Sequence, residues 1–125
     1  MKKLFLTLGL LLMVSAVAFS QAQVLSGGWG GNQETKYYTL HENTGERVFT
    51  VEVNFLKPFE NKPDVVVGVS AIDAVSGTNL RYSLKAKSVS RDGFTVEVKT
   101  WGDSKILSIG GFWVAHAEAS TGSDY

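Results

Sequence analysis

From residue 46 onward, apolar and polar side chains alternate with a period of two, the pattern of strands with one buried face. Phe49, Val51, Val53 and Phe55 interleave with Thr50, Glu52 and Asn54. Val65, Val67 and Val69 sit in a β-branched run from Asp64 to Ser70. Leu80, Tyr82, Leu84 and Ala86 interleave with Arg81, Ser83, Lys85 and Lys87. Phe94, Val96 and Val98 interleave with Thr95, Glu97 and Lys99. Ile106 to His116 forms a last, more continuously apolar strand. An earlier strand or two is predicted within residues 24–40, around Val24-Leu25 and Tyr37-Tyr38-Thr39-Leu40. The gaps hold turn sequences: Asn61 to Asp64, Ser76 to Asn79, Arg91 to Gly93 and Gly102 to Ser104. No window sustains a 3.6-residue period. Five to seven short strands at this spacing predict one antiparallel β-sandwich domain.

The N-terminus breaks this pattern. Lys2 and Lys3 precede an uncharged apolar run from Leu4 to Phe19, and Ser20-Gln21-Ala22 follows. That order predicts a secretory signal peptide over residues 1–22, cleaved after Ala22 or after Ala18, and hence a secreted, extracellular or periplasmic protein. The apolar run is short for a membrane span of about 20 residues. Residues 23–47 then form an N-terminal segment of the sandwich with a loop, 48–117 the core, and 118–125 a small, polar, flexible tail.

Charge and composition now narrow the function. Of 125 residues, 22 belong to the signal and 103 remain, with ten basic and twelve acidic side chains. A mildly acidic chain argues against nucleic-acid or membrane-surface binding by bulk charge. Cysteine is absent, which removes disulfides, thiol nucleophiles and thiolate metal sites. A domain this small without staples relies on its core, a partner subunit, or both.

The candidate chemistry lies in the side chains left on the outer faces. With Phe94, Val96 and Val98 inward, Trp101 falls in the outward phase, just before the Gly102-Asp103-Ser104 loop. With Leu80, Tyr82 and Leu84 inward, Arg81 points out. A hairpin turning near residue 92 sets Arg81 opposite Trp101 or Gly102, with Asn79, Asp103 and Ser104 close by. A flat indole beside directional donors and acceptors suits a sugar, which has hydroxyls at its rim and an apolar C–H face. Two plainer readings stand beside it: an arginine–tryptophan contact that only stabilises the sheet edge, and an indole buried against a loop or subunit. Trp113, in an apolar stretch, reads as core.

Catalysis finds little support. His41 and His116 have no acidic residue at a metal-ligand spacing. Ser70, Ser83 and Ser90 lack a nucleophile-elbow context. Glu52, Glu97 and Asp103 read as solvated strand faces and a turn. Gly27-Gly28-Trp29-Gly30-Gly31 precedes no helix, so it lacks the geometry of a phosphate loop.

An ordered set of short stretches resembles the H-type lectin family, the group of a snail agglutinin and the discoidin C-terminal domains. These are Val51 to Phe55, Phe59, Lys62 to Gly68, Ile72-Asp73, Asn79-Leu80-Arg81, Val89, Gly93-Phe94-Thr95, Thr100 to Ser104, Ser108 and Trp113-Val114-Ala115. They cover about residues 48–116. The resemblance implies a six-stranded antiparallel β-sandwich. It implies homotrimers that bind galactose or N-acetylgalactosamine (GalNAc) between subunits, without a metal or cofactor. Arg81 would be the sugar-binding arginine and Trp101 the stacking tryptophan, with Asn79 and Asp103 adding hydrogen bonds. The chain departs from the family in two places. Gly102 offers only backbone where the agglutinin has a sugar-contacting side chain, and Leu107 replaces an aromatic. The loop from the neighbouring subunit would fall near His41 to Gly45, making Asn43 and Thr44 candidates. The alternative function is a structural or adhesin-type trimerisation module with Trp101 buried at the subunit contact.

Overall fold

The computed structural model describes residues 22–118. The expected signal segment and C-terminal tail lie outside the described residues, apart from Ala22 and Glu118. Six strands follow in order: β1 (Gln23–Asn32), β2 (Arg47–Asn54), β3 (Asp64–Ala74), β4 (Tyr82–Lys87), β5 (Gly93–Thr100) and β6 (Ile106–Ala117). They form two three-stranded sheets, β1-β6-β3 and β2-β5-β4, with every pair antiparallel. The architecture is the expected six-stranded sandwich.

The core forms where the inward phases of the two sheets meet. Val96, Val98 and Phe94 of the central strand β5 are buried, as the alternation requires. Phe55, Phe94 and Trp113 form an aromatic cluster with ring centroids 5.5–5.8 Å apart, and Phe59 packs on Phe55 at 5.0 Å. Each such side chain contributes about 1.5–3 kcal/mol by leaving water. Trp113 is therefore core, as predicted. Its ring needs Gly27 opposite, since a Cβ there would lie 2.7 Å from the indole.

Three expectations change. Tyr37 to Leu40 is a loop, not a strand: Tyr37 has φ 67°, which ends any extended run. Its apolar pattern comes instead from plugging the end of the sandwich. Tyr38 and Leu40 are buried, Tyr38 donates its hydroxyl to the Ile106 carbonyl at 2.7 Å, and Leu40 accepts from the Ile106 amide at 3.0 Å. Leu80 and Tyr82 are exposed rather than inward, because β4 starts only at Tyr82 and is an edge strand. Glu97 is buried rather than solvated. It lies on the central strand opposite Lys85, and Lys87 caps it with a close ion pair that holds its carboxyl below the usual range.

Candidate functional site

The β4–β5 hairpin delivers the first two predicted residues. Tyr82 pairs with Thr100, so one further step sets Arg81 across from Trp101. Neither residue belongs to the ladder. Arg81 is anchored by its backbone instead: the Thr100 hydroxyl donates to its carbonyl at 2.6 Å, and its amide donates to Ser104 Oγ at 3.2 Å. Thr100 and Ser104 are fully buried, so this anchorage is rigid. The Arg81 side chain can therefore project outward while its main chain stays fixed.

Its guanidinium meets Asp103. Arg81 Nη1 lies 2.7 Å from Asp103 Oδ1, and the Asn79 amide and side-chain Nδ2 each lie 3.4 Å from Oδ2. The Arg81 guanidinium holds the Asp103 carboxyl below the usual carboxylate range. Both partners are partly exposed, and such pairs contribute about 0–1 kcal/mol. The arrangement therefore does more for the direction of the guanidinium than for stability. The other Arg81 donors bond nothing among the described residues and face outward. Trp101 is 41% exposed, as its phase predicted. Among the described residues the cation–π contact joins Lys36 to Tyr37, not Arg81 to Trp101. The half-exposed indole thus lies across the hairpin end from Arg81.

Gly102 turns the chain with φ 67°, and its carbonyl points inward, accepting from the Gly45 amide and from Arg47 at 3.0 Å each. That contact locates Asn43 and Thr44. Both are exposed on the loop before β2, and the loop rests on the Trp101–Asp103 turn of its own chain. Asn79, Arg81, Trp101, Gly102 and Asp103 thus form one cluster, with Asn43 and Thr44 on the adjoining loop. The two histidines are at opposite ends of the sandwich. His41 stacks on Tyr38 at 5.6 Å, and His116 is exposed near the end of β6.

Sequence reasoning missed Arg47, although a signal was present. Arg47 shares the phase of Phe49, Val51 and Val53, so the alternation sends a guanidinium inward. It is buried. Nε donates to the Gly45 carbonyl at 3.0 Å, Nη2 to Gly102 at 3.0 Å, and Nη1 to Glu42 at 2.9 Å, Ser104 at 2.7 Å and Leu40 at 3.4 Å. Thr100 was missed the same way, as a polar residue in the phase of Val96 and Val98.

The family model described as the H-type lectin domain matches residues 50–116, a span that includes Asn79, Arg81 and Trp101 to Asp103. The chain belongs to the H-type lectin domain family. The H-type lectin domain is a carbohydrate-binding module, and the cluster lies within it. A relative from Fuscovulum blasticum, named "ATP synthase subunits region ORF 7", is 33% identical over 81 residues, covering 65% of this chain and 70% of its own length. Two structures of discoidin II from Dictyostelium discoideum are similar, each at 25% identity and a TM-score of 0.70. They match 79% and 82% of this chain, which spans only 38% and 39% of theirs. The family and the fold agree with a binding module rather than an enzyme.

Proposed function

We propose that this H-type lectin domain binds terminal galactose- or GalNAc-type sugars through Trp101 and Arg81. The observation that carries this reading is the half-open indole beside an outward guanidinium fixed by Asp103. The indole would cover the apolar C–H face of the sugar, while free Arg81 donors and the Asp103 and Asn79 side chains would meet its hydroxyls. A site of so few contacts binds weakly, because binding must offset desolvation and lost freedom of motion. Repetition in a homotrimer would raise avidity on a multivalent glycan surface. The same reading makes the protein secreted, with residues 1–22 removed on export.

The outer face of the β1-β6-β3 sheet supports self-association. Val24, Val66 and Phe112 are exposed there, beside Val114 and the outward glycines Gly28 and Gly68. The opposite sheet presents Lys85, Lys87, Lys99 and Glu52. Asp64 and Asp73 lie toward the rims of the β1-β6-β3 face, and apolar patches of this kind mark protein contacts. The same face favours a second reading, a trimerisation or adhesin-type module without sugar binding. A glycan array with the parent, Arg81→Ala and Trp101→Ala separates the two. Binding by the parent that both substitutions abolish supports the sugar site. No glycan binding by the parent, or equal binding by both variants, sinks it.

A further inference from the structure

We infer that Arg47 is a positioning residue for the sugar site, holding the Trp101–Ser104 turn and the Leu40–Gly45 loop in one geometry. The inference rests on the sugar-site reading above, but its geometric part can be tested without sugar. Arg47 is buried, and all five of its hydrogen bonds go to backbone carbonyls. No carboxylate pairs with it among the described residues. A buried cation without a counter-ion is costly unless many dipoles satisfy it. Here the planar fork is used at Nε and at both Nη atoms, a pattern that a lysine ammonium cannot reproduce.

The bonds fall on two loops only, those that carry Asn43-Thr44 and Trp101 to Asp103, while Asn79 and Arg81 lie on a third segment before β4. Leu40, Glu42 and Gly45 lie on the first, and Gly102 and Ser104 on the second. Three residues in these loops have left-handed backbones: Asn43 at φ 56°, Gly45 at 82° and Gly102 at 67°. Such conformations persist where the surroundings over-determine them, and they collect at binding sites.

The link to sugar runs through a single peptide unit. The carbonyl of the Gly102–Asp103 peptide accepts from Arg47 and Gly45. Its nitrogen belongs to Asp103, so the orientation of this peptide sets where the Asp103 carboxylate lies. That carboxylate holds Arg81 at 2.7 Å. If Arg47 releases the carbonyl, the peptide can rotate, the Asp103 carboxylate shifts with it, and Arg81 loses its fixed direction. Trp101, the residue before Gly102, loses its fixed plane in the same motion. Arg47 itself touches no sugar.

The test compares Arg47→Lys with a core variant of comparable stability loss, Val96→Ala, in the mature protein. Two readouts are taken: the Asp103 carboxyl titration by NMR and the Kd for free galactose. The inference expects Arg47→Lys to move the Asp103 midpoint up toward that of an ordinary aspartate and to weaken galactose binding about tenfold, the worth of one charge-assisted hydrogen bond. Val96→Ala should change neither. An Asp103 titration and a Kd left at parental values in folded Arg47→Lys overturn it, as does an equal change in Val96→Ala. If the parent binds no galactose, the sugar reading fails and the Asp103 titration alone decides the clamp. If Arg47→Lys does not fold, the parent decides: slowly exchanging, separately resolved Arg47 Nη protons support the clamp, and rapidly exchanging averaged ones refute it.

Discussion

Removing the indole of Trp101 should cost sugar affinity and almost no stability. Trp101 leaves 41% of its surface in solvent. On a side chain of about 250 Å² that is about 100 Å², of which a sugar stacked on one face would cover about half. The C–H face of the sugar loses a similar area, so about 100 Å² of apolar surface leaves water in all. At about 25 cal/mol per Å² this gives about 2.5 kcal/mol. Imperfect pairing of displaced polar groups lowers it to about 1.5–2.5 kcal/mol, a 10- to 70-fold weaker Kd for Trp101→Ala. Trp101→Phe should keep most of the affinity. The assay is titration with a free monosaccharide, which removes avidity, read by tryptophan fluorescence. Trp29 and Trp113 are 7% and 8% exposed, so a sugar-dependent signal reports on Trp101. Unfolding midpoints should shift by less than about 0.5 kcal/mol, as for other surface changes. A Trp101→Ala affinity within twofold of the parent refutes the stacking argument. A large loss of stability refutes the placement of the indole at the surface.

Phe112→Asp, which puts a charge in the centre of the apolar sheet face, should turn any oligomer into monomers in analytical ultracentrifugation while leaving the monomer folded. Burial pushes the Tyr38 phenol up to about 12, so stability should be full below pH 10, the usual tyrosine value, and fall as pH rises toward 12, by about 2–3 kcal/mol in denaturant titrations. The carboxyls of Glu97 and Asp103 sit below their usual ranges, so their contribution should be intact above those ranges and lost as acid titrates the lowered groups, visible as a falling Tm at low pH. Gly102→Ala forces a side chain into a left-handed backbone and places its Cβ 3.1 Å from Arg81 Nη1. It should lose about 1–2 kcal/mol of stability and shift the Asp103 titration upward.

The strands were legible because each buries one face, and a period of two reports that directly. The register of the β4–β5 hairpin followed from its turn, and with it the meeting of Arg81 and Trp101. The loop over residues 33–46 was not legible. Its apolar residues Tyr38 and Leu40 are buried by capping the sandwich end, not by alternation, so they imitated a strand. Leu80 misled in the opposite way, because the alternation begins two residues before β4 starts.

The same alternation held more information about the site than the outward residues alone. Arg47 and Thr100 occupy the inward phase and face each other as ladder partners at the ends of β2 and β5. A polar residue in that phase must be satisfied from within. Thr100 satisfies itself on the Arg81 carbonyl, and Arg47 on the two loops beyond the strands. Each need is met by a segment that carries exposed candidate groups. Beside the apolar plug of Tyr38 and Leu40, the end of this sandwich is therefore closed by hydrogen bonds, and these fix the backbones of Arg81, Gly102 and Ser104 together. Polar residues that fall in the buried phase at adjacent strand ends mark this site as clearly as the exposed tryptophan does. They also give a reason for it to lie here, since only hydrogen-bonded loops can hold side chains rigidly while leaving them open to water.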